Sequence, residues 1–275
     1  MYGWTGKIAK VDLSRSAVTE LNTWDYAEQF LGGRGIATQL YWESKASQVR
    51  AFDPDNPLIL MSGALVATGA QGATRMSVVS KSPMLMPEGF CYGNLGGFFP
   101  AFLKRAGYDG IVITGRAEAP TYIFVHDDRV DLLDASFLWG KGTYAVQRSL
   151  KEAHGSKVRF ISTGPAGENQ CRNATIITDH EGSATGGFGA VMGSKNLKAI
   201  AVHGSGKPQV ARREELNELN KHIIHISKRG TLRMPVPKKQ LQFMKTASCY
   251  QCAMECGRGC IGPPRGGKRS GNARP

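Results

Sequence analysis

No apolar stretch in this sequence is long enough to span a bilayer, and nothing near Met1 has the basic, then apolar, then small-residue order of a secretory signal. A soluble chain in the cytoplasm is therefore the expectation. Aromatic residues are scarce, at 8% of 275, and Tyr250 is the one aromatic near the clustered cysteines. Without stacking platforms a nucleic acid is not an expected partner, although a basic zinc-knuckle-like module is the rival reading. Cysteine is sparse too: Cys91 and Cys171 stand alone, while Cys249, Cys252, Cys256 and Cys260 crowd together. Such close spacing argues against disulfides, which need a particular separation and direction and which a reducing compartment would not keep. The six histidines form no motif. His126 and His203 read as strand ends, His222 and His225 as helix-face residues, and His180 falls in the loop before a glycine pair, so no catalytic acid or base is assigned.

Acidic residues are also under-represented, with 22 Asp and Glu against 35 Lys and Arg and a net charge of +13. The excess is local. Residues 201–275 hold 15 Lys and Arg against 4 Asp and Glu. After Gly204-Ser-Gly-Lys-Pro the strand signals stop, one polar helical stretch runs from about Arg212 to Lys228, and the end becomes rich in Gly, Pro and Arg. We place a domain boundary near Gly206, separating residues 1–206 from a short helical and irregular tail, 207–275.

What the sequence does contain is one phrase spoken twice. Asn94-Leu-Gly-Gly-Phe-Phe-Pro-Ala-Phe-Leu-Lys-Arg is followed by Gly110-Ile-Val-Ile-Thr-Gly; Thr185-Gly-Gly-Phe-Gly-Ala-Val-Met-Gly-Ser-Lys is followed by Lys198-Ala-Ile-Ala-Val-His-Gly. Each reads as a glycine pair, a short helix and a buried strand. Upstream, apolar runs at Asn56-Pro-Leu-Ile-Leu-Met-Ser-Gly and Val158-Arg-Phe-Ile-Ser-Thr-Gly end in polar-glycine turns. Further back, alternating segments near residues 6–13 and 121–133 predict hairpins. Helices are predicted from about Trp24 to Phe30 and from about Gly142 to Ala153. The expected class is α+β, built from two intertwined hairpin-helix-strand-strand-helix-strand repeats, about 5–116 and 120–206, with pseudo-twofold symmetry. Because glycine pairs let backbone approach a ligand and helix starts offer free N–H groups, two related anion sites are expected.

Around the glycines, Arg75 begins the strand-like Met76-Ser-Val-Val-Ser and could aim a guanidinium at a phosphate, while Asn94 could cap the following helix. Their structural alternatives are a surface salt bridge and a simple cap. The blander account of Gly96-Gly97 and Gly186-Gly187 is tight helix packing. A dinucleotide fingerprint at Gly187-Phe-Gly-Ala-Val-Met-Gly193 is rejected, because a polar loop separates it from the strand near Asn173 to Thr178 and no acidic residue follows at the required distance. Thiolates at Cys249-x2-Cys252-x3-Cys256 can converge on one soft-metal centre, and spacing alone leaves iron-sulfur and zinc both open. On a continuous helix Cys260 would lie about 16 Å from Cys249 at about 1.5 Å per residue, unless Gly257 and Gly259 turn the chain back.

In order, Trp4-Thr-Gly-Lys, Leu31-Gly-Gly-Arg-Gly, Arg75, Gly96-Gly-Phe-Phe, Ala106-Gly-Tyr-Asp, Trp139-Gly-Lys-Gly, Gly164-Pro-Ala-Gly-Glu-Asn, Gly189-Ala-Val-Met-Gly-Ser-Lys-Asn-Leu-Lys-Ala-Ile-Ala-Val and the cysteine motif resemble the aldehyde:ferredoxin oxidoreductase family. The resemblance covers about residues 2–206, then the cysteines. It implies a base for a tungsten or molybdenum bis-pterin cofactor, with magnesium bridging the pterin phosphates. It also implies a [4Fe-4S] cluster that passes electrons to ferredoxin, or to an iron-sulfur electron-transfer subunit, as a small aldehyde becomes a carboxylate. By motif position Arg75, Asn94, Gly96, Gly182, Ser183 and Gly186 would bind the cofactor, and Cys249, Cys252 and Cys256 would hold the cluster. A homo-oligomer is compatible with the family. Two departures stand out: Glu181 and Thr185 occupy positions where tungsten members carry arginines, and the chain stops before the family's large helical domains. It therefore reads as a truncated or short form, with a cluster-only electron-transfer subunit as a further alternative.

Overall fold

The computed structural model describes residues 2–179, 182–229, 244–253 and 257–260. The first half opens with the hairpin β1 (Lys7–Asp12) and β2 (Ala17–Asn22), turned where Asp12 Oδ1 accepts the amides of Ser14 and Arg15 at 3.0 and 3.2 Å. Helices α1 (Trp24–Phe30) and α2 (Arg34–Glu43) follow. Then come β3 (Leu58–Ser62), β4 (Met76–Ser82), β5 (Gly89–Leu95), α3 (Phe99–Arg105) and β6 (Gly110–Thr114). The second half contains β7 (Thr121–His126), β8 (Arg129–Asp134), α4 (Thr143–His154), β9 (Arg159–Ser162), α5 (Pro165–Glu168), β10 (Ile176–Thr178), β11 (Ser183–Ala184), α6 (Phe188–Ser194) and β12 (Leu197–His203). A polar helix α7 (Arg213–Arg229) and a small antiparallel pair, β13 (Met244–Ala247) with β14 (Gly257–Cys260), complete the described chain.

Two mixed six-stranded sheets carry the α+β fold. Their orders are β2-β1-β6-β3-β4-β5 and β8-β7-β12-β9-β10-β11, so each strand of one has a counterpart in the other. In both, the hairpin strand runs parallel to the last strand of its half and all other pairings are antiparallel. The inner faces of the sheets share one core, with Leu60, Val78 and Ile111 from the first meeting Ile161, Ile200 and Val202 from the second. Helix α3 packs on β9 and β12, while α6 packs on β3 and β4. Each half thus lends a helix to the other's sheet. Outside, α1 and α2 cover Ile8, Ile59 and Val79, and α4 covers Phe160, Ala199 and Ala201. No helix among the described residues is long and apolar enough to cross a membrane.

The structure differs from the sequence reading at several elements. Each half has one more strand than expected, β5 and β11, and α2 was not anticipated after α1. Asn94 does not cap α3: it lies in β5 opposite Ser77, and Phe98 occupies the cap position without a side-chain cap bond. Strands reappear in the tail as β13 and β14. A packing glycine also occurs outside the two glycine pairs, since a Cβ on Gly193 of α6 would fall 1.8 Å from the Gly167 carbonyl oxygen of α5.

Buried lysines brace the fold, and one of them, Lys195, ties the two halves together. Lys195 Nζ donates to Pro54 O at 2.8 Å and Gly115 O at 3.2 Å. Lys198 Nζ donates to Lys141 O at 2.8 Å and pairs with Glu168. Burial, with Arg116 nearby, lowers the Lys195 ammonium from 10.5 to about 7. Burial likewise brings Lys104 from 10.5 down to about 8, against the pull of Asp109. The unfolded chain then binds these protons more tightly than the folded one. The cost of keeping them charged is full below about 7 and is relieved as pH rises toward 10.5. Denaturant midpoints should therefore increase between pH 7 and about pH 9.5; a flat or falling profile would contradict the buried-lysine account.

Candidate functional site

The antiparallel register of β4 and β5 pairs Met76 with Leu95 and Ser77 with Asn94. One step further, Arg75 falls beside Gly96. Arg75 and Asn94 are both exposed, and among the described residues neither side chain has a hydrogen-bond or ion-pair partner. The surface salt bridge considered for Arg75 is therefore not formed there. Two unsaturated donors stand at the same sheet end, immediately before the helix that follows Gly96-Gly97.

The second half meets this loop directly. A Cβ on Gly182 would fall 3.2 Å from the Gly96 carbonyl oxygen and 2.5 Å from Thr178 Cγ2, and one on Gly97 would fall 2.8 Å from the Asp179 carbonyl oxygen. The chain can close here only without side chains. Ser183, in β11 opposite Ile177, is exposed, whereas Gly186 is buried against Phe188 and Cys91. Burial raises the Cys91 thiol. Thr185 is exposed; His180 and Glu181 lie outside the described residues.

The cysteine segment docks onto the same loop from far away in sequence. The Gly97 amide donates to Cys249 Sγ at 3.4 Å, and the Tyr250 amide donates to the Gly97 carbonyl at 3.3 Å. A turn joins Cys252 N–H to Cys249 O at 3.2 Å. The Ala253 amide donates to Gln71 Oε1 at 3.0 Å, and the Gly72 amide to Gln251 O at 3.4 Å, so the segment also touches the loop leading to Arg75. Cys249 and Cys252 are half-buried. Cys256 lies outside the described residues, and the backbone of Cys260 pairs with Met244 in the β13–β14 ribbon. Among the described residues, no three His, Cys, Asp or Glu side chains converge as a metal cage.

Sequence reasoning missed two arginines here. Arg34 opens α2 and places its guanidinium 4.4 Å from the Tyr92 ring centroid, on the exposed side of β5 shared with Asn94. Leu31-Gly-Gly-Arg-Gly carried that signal without a role attached. Arg159 on β9 lies over Phe98 and Phe102 and carried no local signal.

The residues present fit an anionic cofactor beside a thiolate-held centre. Arg75 and Asn94 offer uncommitted donors, Gly96 and Gly182 leave room where a Cβ would intrude, and a backbone N–H already reaches Cys249 sulfur, the outer contact that thiolate ligands use. Cavities of about 470 and 590 Å³ lie elsewhere, one lined by Phe30, Arg34 and Trp42 and one by Trp4, Trp24 and Lys104. Neither is lined by Arg75, Asn94 or Cys249.

Residues 8–204 match the family described as aldehyde ferredoxin oxidoreductase, N-terminal domain. The chain is 42% identical over 219 residues to the tungsten-containing aldehyde ferredoxin oxidoreductase of Pyrococcus furiosus, covering 78% of this chain and 36% of that protein. It is 38% identical over 239 residues to the aliphatic sulfonate oxidoreductase, WOR-like subunit, of the same organism, covering 80% of this chain and 38% of that one. Among solved structures it resembles the active site complex BamBC of benzoyl coenzyme A reductase in complex with 1,5-dienoyl-CoA. The TM-score is 0.86 at 28% identity, covering 97% of this chain and 48% of that chain. The chain thus spans little more than a third of the length of these sequence relatives.

Proposed function

The chain belongs to the aldehyde ferredoxin oxidoreductase family, and on that premise we propose that it supplies the cofactor-holding base of an oxidoreductase that converts an aldehyde to a carboxylate. The carrying observation is the contact of Cys249 Sγ with the Gly97 amide, which puts a thiol on the loop where Arg75, Asn94 and Gly182 also meet. In this reading Arg75, Asn94, Gly96, Gly182, Ser183 and Gly186 line the phosphates and bridging magnesium of a tungsten bis-pterin cofactor. Cys249, Cys252 and Cys256 ligate a [4Fe-4S] cluster. A metal-pterin group held there would supply a two-electron acceptor for oxidation of an aldehyde with water as the oxygen source, and a cluster on the cysteines would supply one-electron transfer toward ferredoxin. Arg75 and Asn94 bind and orient anionic oxygens; the Gly97 amide fixes the cluster thiolate against the cofactor loop. We read the two sheets as a duplication with pseudo-twofold symmetry, supported by their matching strand orders and exchanged helices, and residues 1–206 as the domain that carries the cofactor.

The test is elemental and pterin analysis of protein purified without oxygen. Iron together with tungsten or molybdenum is the expected result, and zinc alone would favour a non-catalytic binding module. Arg75→Gln combined with Asn94→Ala should lower bound tungsten and pterin at least tenfold without lowering iron, since charge-assisted hydrogen bonds contribute about 1.5–3 kcal/mol each. Undiminished pterin in that variant would remove these residues from the site.

A further inference from the structure

One partly exposed cation, its side chain 18% exposed, bears on both routes by which the cysteine segment is held. Arg159, on β9 of the second half, places its guanidinium 5.2 Å from the Phe98 centroid and 5.0 Å from that of Phe102. The same two rings receive Tyr250, the residue after Cys249, edge-on at 5.6 and 6.1 Å. Arg159 also pairs with Asp179 at 3.5 Å, and the Asp179 side chain is 3% exposed. The Asp179 carbonyl in turn abuts Gly97, whose amide reaches Cys249 sulfur. Through the aromatic pair, Arg159 supports Tyr250; through Asp179, it supports Gly97.

We propose that Arg159 is a positioning residue for the cysteine segment and that it holds the reduction potential of the centre on Cys249 and Cys252 at a more positive value. The proposal rests on the cluster reading above. An anionic thiolate centre gains negative charge when it accepts an electron, so a guanidinium in low-dielectric surroundings favours the reduced form, as does the N–H to sulfur contact it helps fix. Asp179 opposes that effect, so the pair works as a balance: removing the cation and removing the anion should move the potential in opposite directions.

The experiment is a potentiometric titration, followed by electron paramagnetic resonance, of anaerobically purified wild type, Arg159→Gln, Arg159→Lys and Asp179→Asn, with bound iron measured for each. The expected result is retained iron in all four. The potential should be more negative in Arg159→Gln, largely restored in Arg159→Lys and more positive in Asp179→Asn. If Arg159→Gln fails to fold, the Lys and Asn variants still carry the test, because a merely structural role gives no opposite-signed shift. Iron-loaded variants with unchanged potentials, or with shifts of the same sign for Arg159→Gln and Asp179→Asn, would overturn the assignment. Wild type that binds no iron would instead overturn the cluster reading itself.

Discussion

Cys252→Ala is expected to strip the protein of bound iron while leaving its cooperative unfolding transition in place. In the cluster reading, the thiolate ligands come from a segment that sits on the fold rather than inside it. Among the described residues, none of the core residues shared by the two sheets lies beyond Val202, and Cys249–Ala253 is tied to the body by four hydrogen bonds and the Tyr250 ring contacts. Loss of a thiolate ligand therefore removes the metal without opening the core. Cys91→Ala makes the control, because that thiol is packed against Gly186, has been pushed up by burial, and should leave iron unchanged. Iron analysis with a denaturation curve reads both. Collapse of cooperativity in Cys252→Ala would mean that the tail is an integral part of the first 206 residues' stability, and the proposed boundary near Gly206 would move.

How much of this was legible in the sequence follows from what each segment buries. The runs Leu58–Ser62 and Leu197–His203 are buried almost throughout, so their mainly apolar character announced them as strands. Strand Gly89–Leu95 hid because its exposed positions include Phe90, Tyr92 and Asn94 while glycines occupy two inward ones, an alternation that inverts the usual pattern. Helix α2 begins among Gly32, Gly33 and Gly35, which read as a loop because each glycine weakens the helix signal. Family motifs named Arg75, Asn94, Gly96 and Gly182 one at a time. Only the β4–β5 register and the touching of two loops bring them together. The Gly97 to Cys249 contact crosses 152 residues, and no local pattern specifies such a partner. Arg159 was invisible for the same reason: its role comes from Phe98, Phe102 and Asp179, which belong to other elements.

Asp109→Ala should be the most damaging single change away from the metal, costing about 3–5 kcal/mol of unfolding free energy. Fully buried, Asp109 accepts the amides of Thr5 at 3.1 Å and Gly6 at 2.9 Å and the Thr23 hydroxyl at 2.8 Å, and pairs with Lys104 Nζ at 3.4 Å. Its loss orphans three donors and strands an ammonium whose remaining contacts are the carbonyls of Gly63 and Ala64 and the Trp4 ring. Those carbonyls open the loop that leads from β3 to Arg75, so the damage should reach the cofactor cradle as well as the melting curve. Burial already outweighs the pull of Asp109 and holds Lys104 near 8; without the carboxylate its proton is held more weakly still. The variant should accordingly regain stability with rising pH more steeply than wild type. Adding Lys104→Met to it removes the stranded charge, and the double variant is expected to be more stable than Asp109→Ala alone. If the double variant is no better, the cost resides in the three orphaned donors, and the ion pair is incidental to the way this loop is held.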